Sequence, residues 1–295
     1  MSDDEKREPG ELNEYHKMRS KAAMKEVQEM MKHPVTLEQA KAQADRVKEG
    51  MRRSGRPMKT MRISNYKRLI QVLPFMEQAF DVKRSHWENL VSSDILDIIF
   101  VEDADQNQMT SSGSEKSHSK PNDATVTMSR FELFNDQAID LLLIKVLMWG
   151  YPTKGRGKNI ENILKNTNFT KLKEELTKYG KKGTIAIDEI RELLKMEGLG
   201  LSTLSKFLYF MRLKIDSYRT LILDQRVISA LTSGKYSDIG IEEFQNLKYE
   251  NAIDYYLKYL TFSHQIANQL QAEPDQVEMF FFEYGRNLKG MVPMN

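Results

Sequence analysis

The stretch Lys195–Asp224, KMEGLGLSTLSKFLYFMRLKIDSYRTLILD, decides the fold of this 295-residue chain. On its N-terminal side residues 188–196 place Ile190, Leu193 and Leu194 at helical spacing, and residues 202–213 place Leu204, Phe207, Leu208 and Met211 likewise. Between them lies Gly198-Leu199-Gly200, a turn that needs positive φ or close backbone approach, both of which glycine supplies at least cost. With no side chain at 198 or 200, the amides of the turn and of the next helix's first residues, Ser202 among them, can face an anion. The positive end of a helix favours one there. A plain Schellman-type turn in an ordinary helical protein has the same pattern, so the turn alone assigns no role.

A polar, aromatic connection, Lys214–Thr220, then leads to LILDQRVISAL over residues 221–231. Asp224 follows the apolar run Leu221–Leu223 and precedes Val227, Ile228 and Leu231, which continue with helical spacing. That is an N-cap position, where an aspartate stabilises by about 0.5 to 2 kcal/mol. Capping and presenting a carboxylate for chemistry are compatible roles.

Taken together, EGLGL, SKFLYFM and ILDQRVISAL resemble the hairpin and aspartate region of the helix-hairpin-helix DNA glycosylases, in particular the bacterial 8-oxoguanine DNA glycosylase fold proteins. The segment MWGYPTKGRGKNI, with Trp149, Gly150 and Pro152, is similar to that family's WGxP element, and VEMFFFEYGRNLK (277–289) is similar to its last helix. Four segments in this order cover roughly the second half of the chain. The fold this resemblance implies is mainly α: a helix-hairpin-helix glycosylase-like helical domain in the C-terminal half, with a helical N-terminal extension.

The resemblance also implies a chemistry and a partner, double-stranded DNA containing a modified base. Asp224 is the candidate carboxylate that stabilises the oxocarbenium-like sugar as a base leaves. Gly198, Leu199, Gly200 and Ser202 are the candidate DNA-backbone contacts. The flipped base needs aromatic or apolar walls, for which Trp149, Tyr151 and Phe207 are the candidates, although each residue type more often serves a core. Bifunctional relatives carry a nucleophilic lysine early in the second hairpin helix. Two residues after Gly200 stands Ser202 instead. Lys206 lies one turn further along the same helix face, eighteen residues before Asp224, and is the candidate nucleophile; a phosphate contact or surface charge is the other reading.

The formal net charge is only +2, so nucleic-acid affinity must come from local patches. Residues 15–60 carry twelve Lys or Arg against five Asp or Glu, and residues 154–182 carry nine against three. Such patches can neutralise phosphates, though a solvated helix face is the commoner explanation. The chain has no cysteine, which removes disulfides, thiol nucleophiles, cysteine zinc sites and four-cysteine iron–sulfur clusters. His16, His33, His86, His118 and His264 lack ligand spacing, so neither a metal nor a cofactor is expected.

Domain organisation is expected as a basic helical N-terminal arm over 1–60, a small helical or mixed segment over 61–101, a polar linker over 102–125, and the glycosylase-like domain over 126–295. The N-terminus has no signal-peptide core, and no apolar run approaches the ~20 residues that cross a bilayer. A cytoplasmic protein with no membrane association is expected. Two functions from different classes stand: a DNA glycosylase, with 8-oxoguanine as the base the resemblance implies and AP lyase activity if Lys206 is the nucleophile, and a non-catalytic DNA-binding or assembly module. The second reading includes a phage-defence setting and a protein partner or self-association through the N-terminal arm.

Overall fold

The computed structural model describes residues 61–107, 124–135, 138–155, 157–238 and 240–285; the expected arm over 1–60 and most of the expected linker lie outside them. The side chains of 101–107 are likewise outside the description. The described chain is mainly helical, with eleven α-helices and two two-stranded sheets. None of these helices is long and apolar enough to cross a membrane.

The chain divides into two compact units. Of the described residues, one unit takes those up to Phe75, Arg226–Lys248 and those from Phe262 onward; the other takes Met76–Gln225 and Tyr249–Thr261.

The smaller unit holds α1 (Lys67–Val72), α9 (Gln225–Leu231, all but its first residue), the later part of α10 (Ala252–Leu270) and α11 (Pro274–Glu283). Its core sets a group of aromatic rings among aliphatic side chains. Tyr236 meets Phe280 and Phe281 edge-on, and Phe244 meets Phe262 at 5.4 Å. Gln276 ties α11 to α1 by donating to the carbonyls of Gln71 and Leu73.

The larger unit begins with β1 (Ala79–Lys83), followed by α2 (Ser93–Asn107), and β1 pairs antiparallel with β2 (Thr125–Ser129), Ala79 opposite Ser129. The β2 sequence TVTMS alternates, burying Val126 and Met128. This short alternation is a strand where the sequence reading begins a helical region, and it straddles the boundary placed at 125/126. Then come α3 (Arg130–Asn135), α4 (Ile139–Gly150), α5 (Asn159–Leu164), α6 (Asn166–Lys182), α7 (Ile187–Leu193) and α8 (Leu201–Phe210). Helix α4, IDLLLIKVLMWG, is apolar nearly all round and is buried, packing against β1, α6 and α8.

Helices α7 and α8 flank the Gly198–Gly200 turn. Glu189 reaches back to accept from the Ala186 amide at 2.7 Å, capping α7. Helix α8 stops at Phe210 rather than running to 213, because Arg212 adopts φ +55° and the Leu213 amide closes back on the Leu208 carbonyl at 3.0 Å. The hairpin's base is clipped: Ile185 donates to the Lys214 carbonyl at 2.9 Å, and Lys214 donates to that of Gly183 at 3.1 Å. Beyond it, β3 (Lys214–Ile215) and β4 (Tyr218–Arg219) turn through Asp216 at φ +54°.

Gly198 is required twice over. Its φ is +85°, and a Cβ there would meet the Asn159 carbonyl oxygen of α5 at 2.5 Å and Asn162 Cβ at 2.9 Å. Gly183, which ends α6 at φ +71°, has nothing within 4 Å. Gly183→Ala is therefore expected to cost only the left-handed strain, on the order of 1 kcal/mol. Gly198→Ala adds a backbone collision and is expected to cost clearly more; urea unfolding of the two variants checks the order.

Candidate active site

Lys206 lies on α8, one turn after Ser202, and is only 5% exposed. Its Nζ donates to the Ser202 carbonyl at 2.9 Å and stands 3.1 Å from Ser202 Oγ. An amine in an interior needs such partners, because an unpaired one costs far more than a hydrogen bond returns. The stem runs past Gly150 at the end of α4, where an added Cβ would lie 2.8 Å from Lys206 Cδ. Gly150 thus supplies the room the lysine occupies.

The next residue, Tyr151, turns its ring to the same amine, Nζ to centroid 5.3 Å. Its hydroxyl pairs with Thr203 Oγ1 at 2.7 Å. The WGYP segment and the hairpin therefore meet at Lys206, with His86 Nδ1 3.2 Å from the Pro152 carbonyl oxygen on the far side of Tyr151 in sequence.

The turn itself carries an unexpected neighbour. Gly200 has φ −92°, so its smallness serves close approach rather than a left-handed backbone: a Cβ there would collide with the Tyr249 hydroxyl. Tyr249 is 43% exposed. Burial of its hydroxyl, followed by the nearby Tyr151 and Glu250, raises its pKa above the ordinary phenol value. Leu199 and Ser202, candidate backbone contacts with the two glycines, are buried at 3% and 9% exposure.

Asp224 is partly buried and immediately precedes α9. It is brought toward the hairpin through its neighbour. Ser205 Oγ accepts from the Leu223 amide at 3.1 Å and donates to the Ser202 carbonyl at 3.4 Å, the same oxygen that receives Lys206. From the other side, Tyr256 donates to the Leu221 carbonyl at 2.7 Å and Tyr259 to that of Ile222 at 2.9 Å. Every residue of the segment before Asp224 is held by a side-chain hydroxyl.

Of the three candidate base-pocket residues, only Tyr151 faces Lys206. Trp149 is 3% exposed; its Nε1 donates to the Gln78 carbonyl at 3.3 Å, and its ring meets Phe80 and Phe210 edge-on. The Arg130 guanidinium, itself buried, lies 5.4 Å from that ring and 5.1 Å from Tyr209's. Phe207 is fully buried. Within the basic run 154–182, Lys154, Lys165, Lys173, Lys178 and Lys182 lie beside Glu161, Glu197, Asp140, Glu175 and Glu189 in exposed ion pairs. No group of His, Cys, Asp or Glu able to hold a metal ion occurs among the described residues.

The family model described as Putative 8-oxoguanine DNA glycosylase OGG-like protein matches residues 74–282, well over half of the chain. The chain belongs to this OGG-like family. The match takes in Gly150, Tyr151, the hairpin with Ser202, Ser205 and Lys206, the Asp224 segment and both clamping tyrosines, so the OGG-like region contains the whole candidate site. No curated protein and no solved structure matches the chain.

Sequence reasoning passed over Ser205, Tyr249, Tyr256 and Tyr259. The i, i+3 spacing of Tyr256 and Tyr259 put them on one helix face, but nothing local marks the carbonyls they reach. Tyr249→Phe is expected to remove one phenol from those ionising above the usual range. Alkaline titration of tyrosinate absorbance checks it: an unchanged high-pH phase contradicts the burial of the Tyr249 hydroxyl.

Proposed function

We propose that this OGG-like protein is a DNA glycosylase that uses Lys206 as nucleophile and Asp224 as the charge-stabilising carboxylate. The observation that carries the reading is the chain of contacts in which Lys206 and Ser205 share the Ser202 carbonyl while Ser205 holds Leu223. It joins the amine's surroundings to the residue before Asp224.

In this mechanism the DNA contacts the hairpin turn, and the modified base leaves the stack. The Lys206 amine, once deprotonated, attacks the sugar's C1′. The N-glycosidic bond breaks with its electron pair going to the base, which takes up a proton. Asp224 stabilises the positive sugar in passage. Opening of the sugar ring gives an iminium on Lys206; loss of a C2′ proton then expels the 3′ phosphate and cuts the strand. Tyr151, facing the amine, is a wall of the space where the base leaves. Oxidised guanine is the first substrate class to test, because the family's description names it.

One observation favours a second reading. Ser202 stands where bifunctional relatives carry lysine, and it already engages the Lys206 amine. On that reading the protein binds DNA or an assembly partner without cutting.

A panel of duplexes, each with one modified base, separates the two. Asp224→Asn is expected to lower single-turnover base release by about a hundredfold or more while leaving duplex affinity nearly intact. Equal loss of release and affinity contradicts the catalytic role, and binding by wild type without release from any duplex supports the second reading.

A further inference from the structure

Asp224 lies at the end of a short segment, Leu221–Leu223, that belongs to neither helix nor strand. A carboxylate that must meet a developing charge has to be held to within a fraction of an ångström. Backbone ladders usually supply such rigidity. Here three hydroxyls address three consecutive residues: Tyr256 at Leu221, Tyr259 at Ile222 and Ser205 at Leu223. Ser205, Tyr256 and Tyr259 are all fully buried, and the two rings stack at 6.3 Å with 23° between planes, a stiff pair on α10.

We infer that Ser205, Tyr256 and Tyr259 are positioning residues for the glycosylase reaction, fixing Asp224 relative to Lys206 through hydrogen bonds to Leu221–Leu223. This rests on the catalytic reading of Asp224 given above. Ser205 has the sharpest role because it acts in both directions. Its Oγ receives Leu223 and donates to the Ser202 carbonyl that also receives Lys206. Removing this hydroxyl frees the residue before the carboxylate and takes away one of the two side-chain donors on the Ser202 carbonyl, which changes the amine's surroundings as well. The tyrosines act on the acid side alone.

The test is a double-variant cycle in the full chain, using the duplex that wild type acts on in the base panel. Ser205→Ala and Tyr259→Phe are each expected to slow single-turnover base release by about tenfold or more, with duplex affinity within about twofold. In an Asp224→Asn background, Tyr259→Phe is expected to cause no further slowing, since its effect passes through the carboxylate. Ser205→Ala is expected to lose most, though not all, of its effect there, the remainder acting through Lys206.

A general packing role predicts something else: the same fractional loss in both backgrounds. That result overturns the inference, as does a wild-type rate in both single variants. An Asp224→Asn enzyme as fast as wild type overturns the catalytic reading and this inference together. A slow Asp224→Asn enzyme with unaffected Ser205→Ala and Tyr259→Phe overturns this inference alone.

Discussion

A single carbonyl oxygen, that of Ser202, receives both the Lys206 amine and the Ser205 hydroxyl, and the candidate site is organised around it. The constraint is one of desolvation. A lysine that is 5% exposed cannot leave its nitrogen without partners, so α8 must supply them from its own preceding turn. A helix carbonyl in the first turn is normally committed only to the amide four residues on. Its second lone pair remains available to side chains from that same turn. Because Ser205 also receives Leu223, the satisfaction of the lysine and the placement of Asp224 become one problem.

The surrounding elements serve that arrangement by leaving room and by closing it. Gly150 lets α4 end beside the lysine stem, and Gly198 lets the hairpin turn rest on α5. Tyr151 covers the amine with its ring and anchors itself on Thr203. Small residues therefore set the approach of backbones, and hydroxyl groups set the finer distances.

Much of this was legible in the sequence. The two glycines mark the turn between two apolar helical patterns, and the order of WGYP, GLGL, SKFLYFM and ILDQRV points to the family whose model matches residues 74–282. What was not legible depends on tertiary contact. A serine in mid-helix reads alike whether it faces water or the Leu223 amide. Tyr256 and Tyr259 reach carbonyls thirty-five and thirty-seven residues away in sequence. The sequence also does not reveal that Lys165, Lys173 and Lys182 have acidic neighbours from other segments, Glu197, Asp140 and Glu189. The short strand Thr125–Ser129 was missed because five alternating residues carry little periodic signal until a partner strand pairs with them. The reason Gly200 is glycine, room for the Tyr249 hydroxyl rather than a left-handed backbone, could not be separated from the alternative without the fold.

The most direct test of the account is to incubate the protein with a duplex carrying one 8-oxoguanine, reduce with borohydride, digest the adduct and locate the modified lysine by mass spectrometry. A covalent DNA adduct on Lys206 alone is the expected result. An adduct on another lysine, or base release that leaves alkali-sensitive sites with no adduct at all, would contradict the assignment of Lys206 as nucleophile.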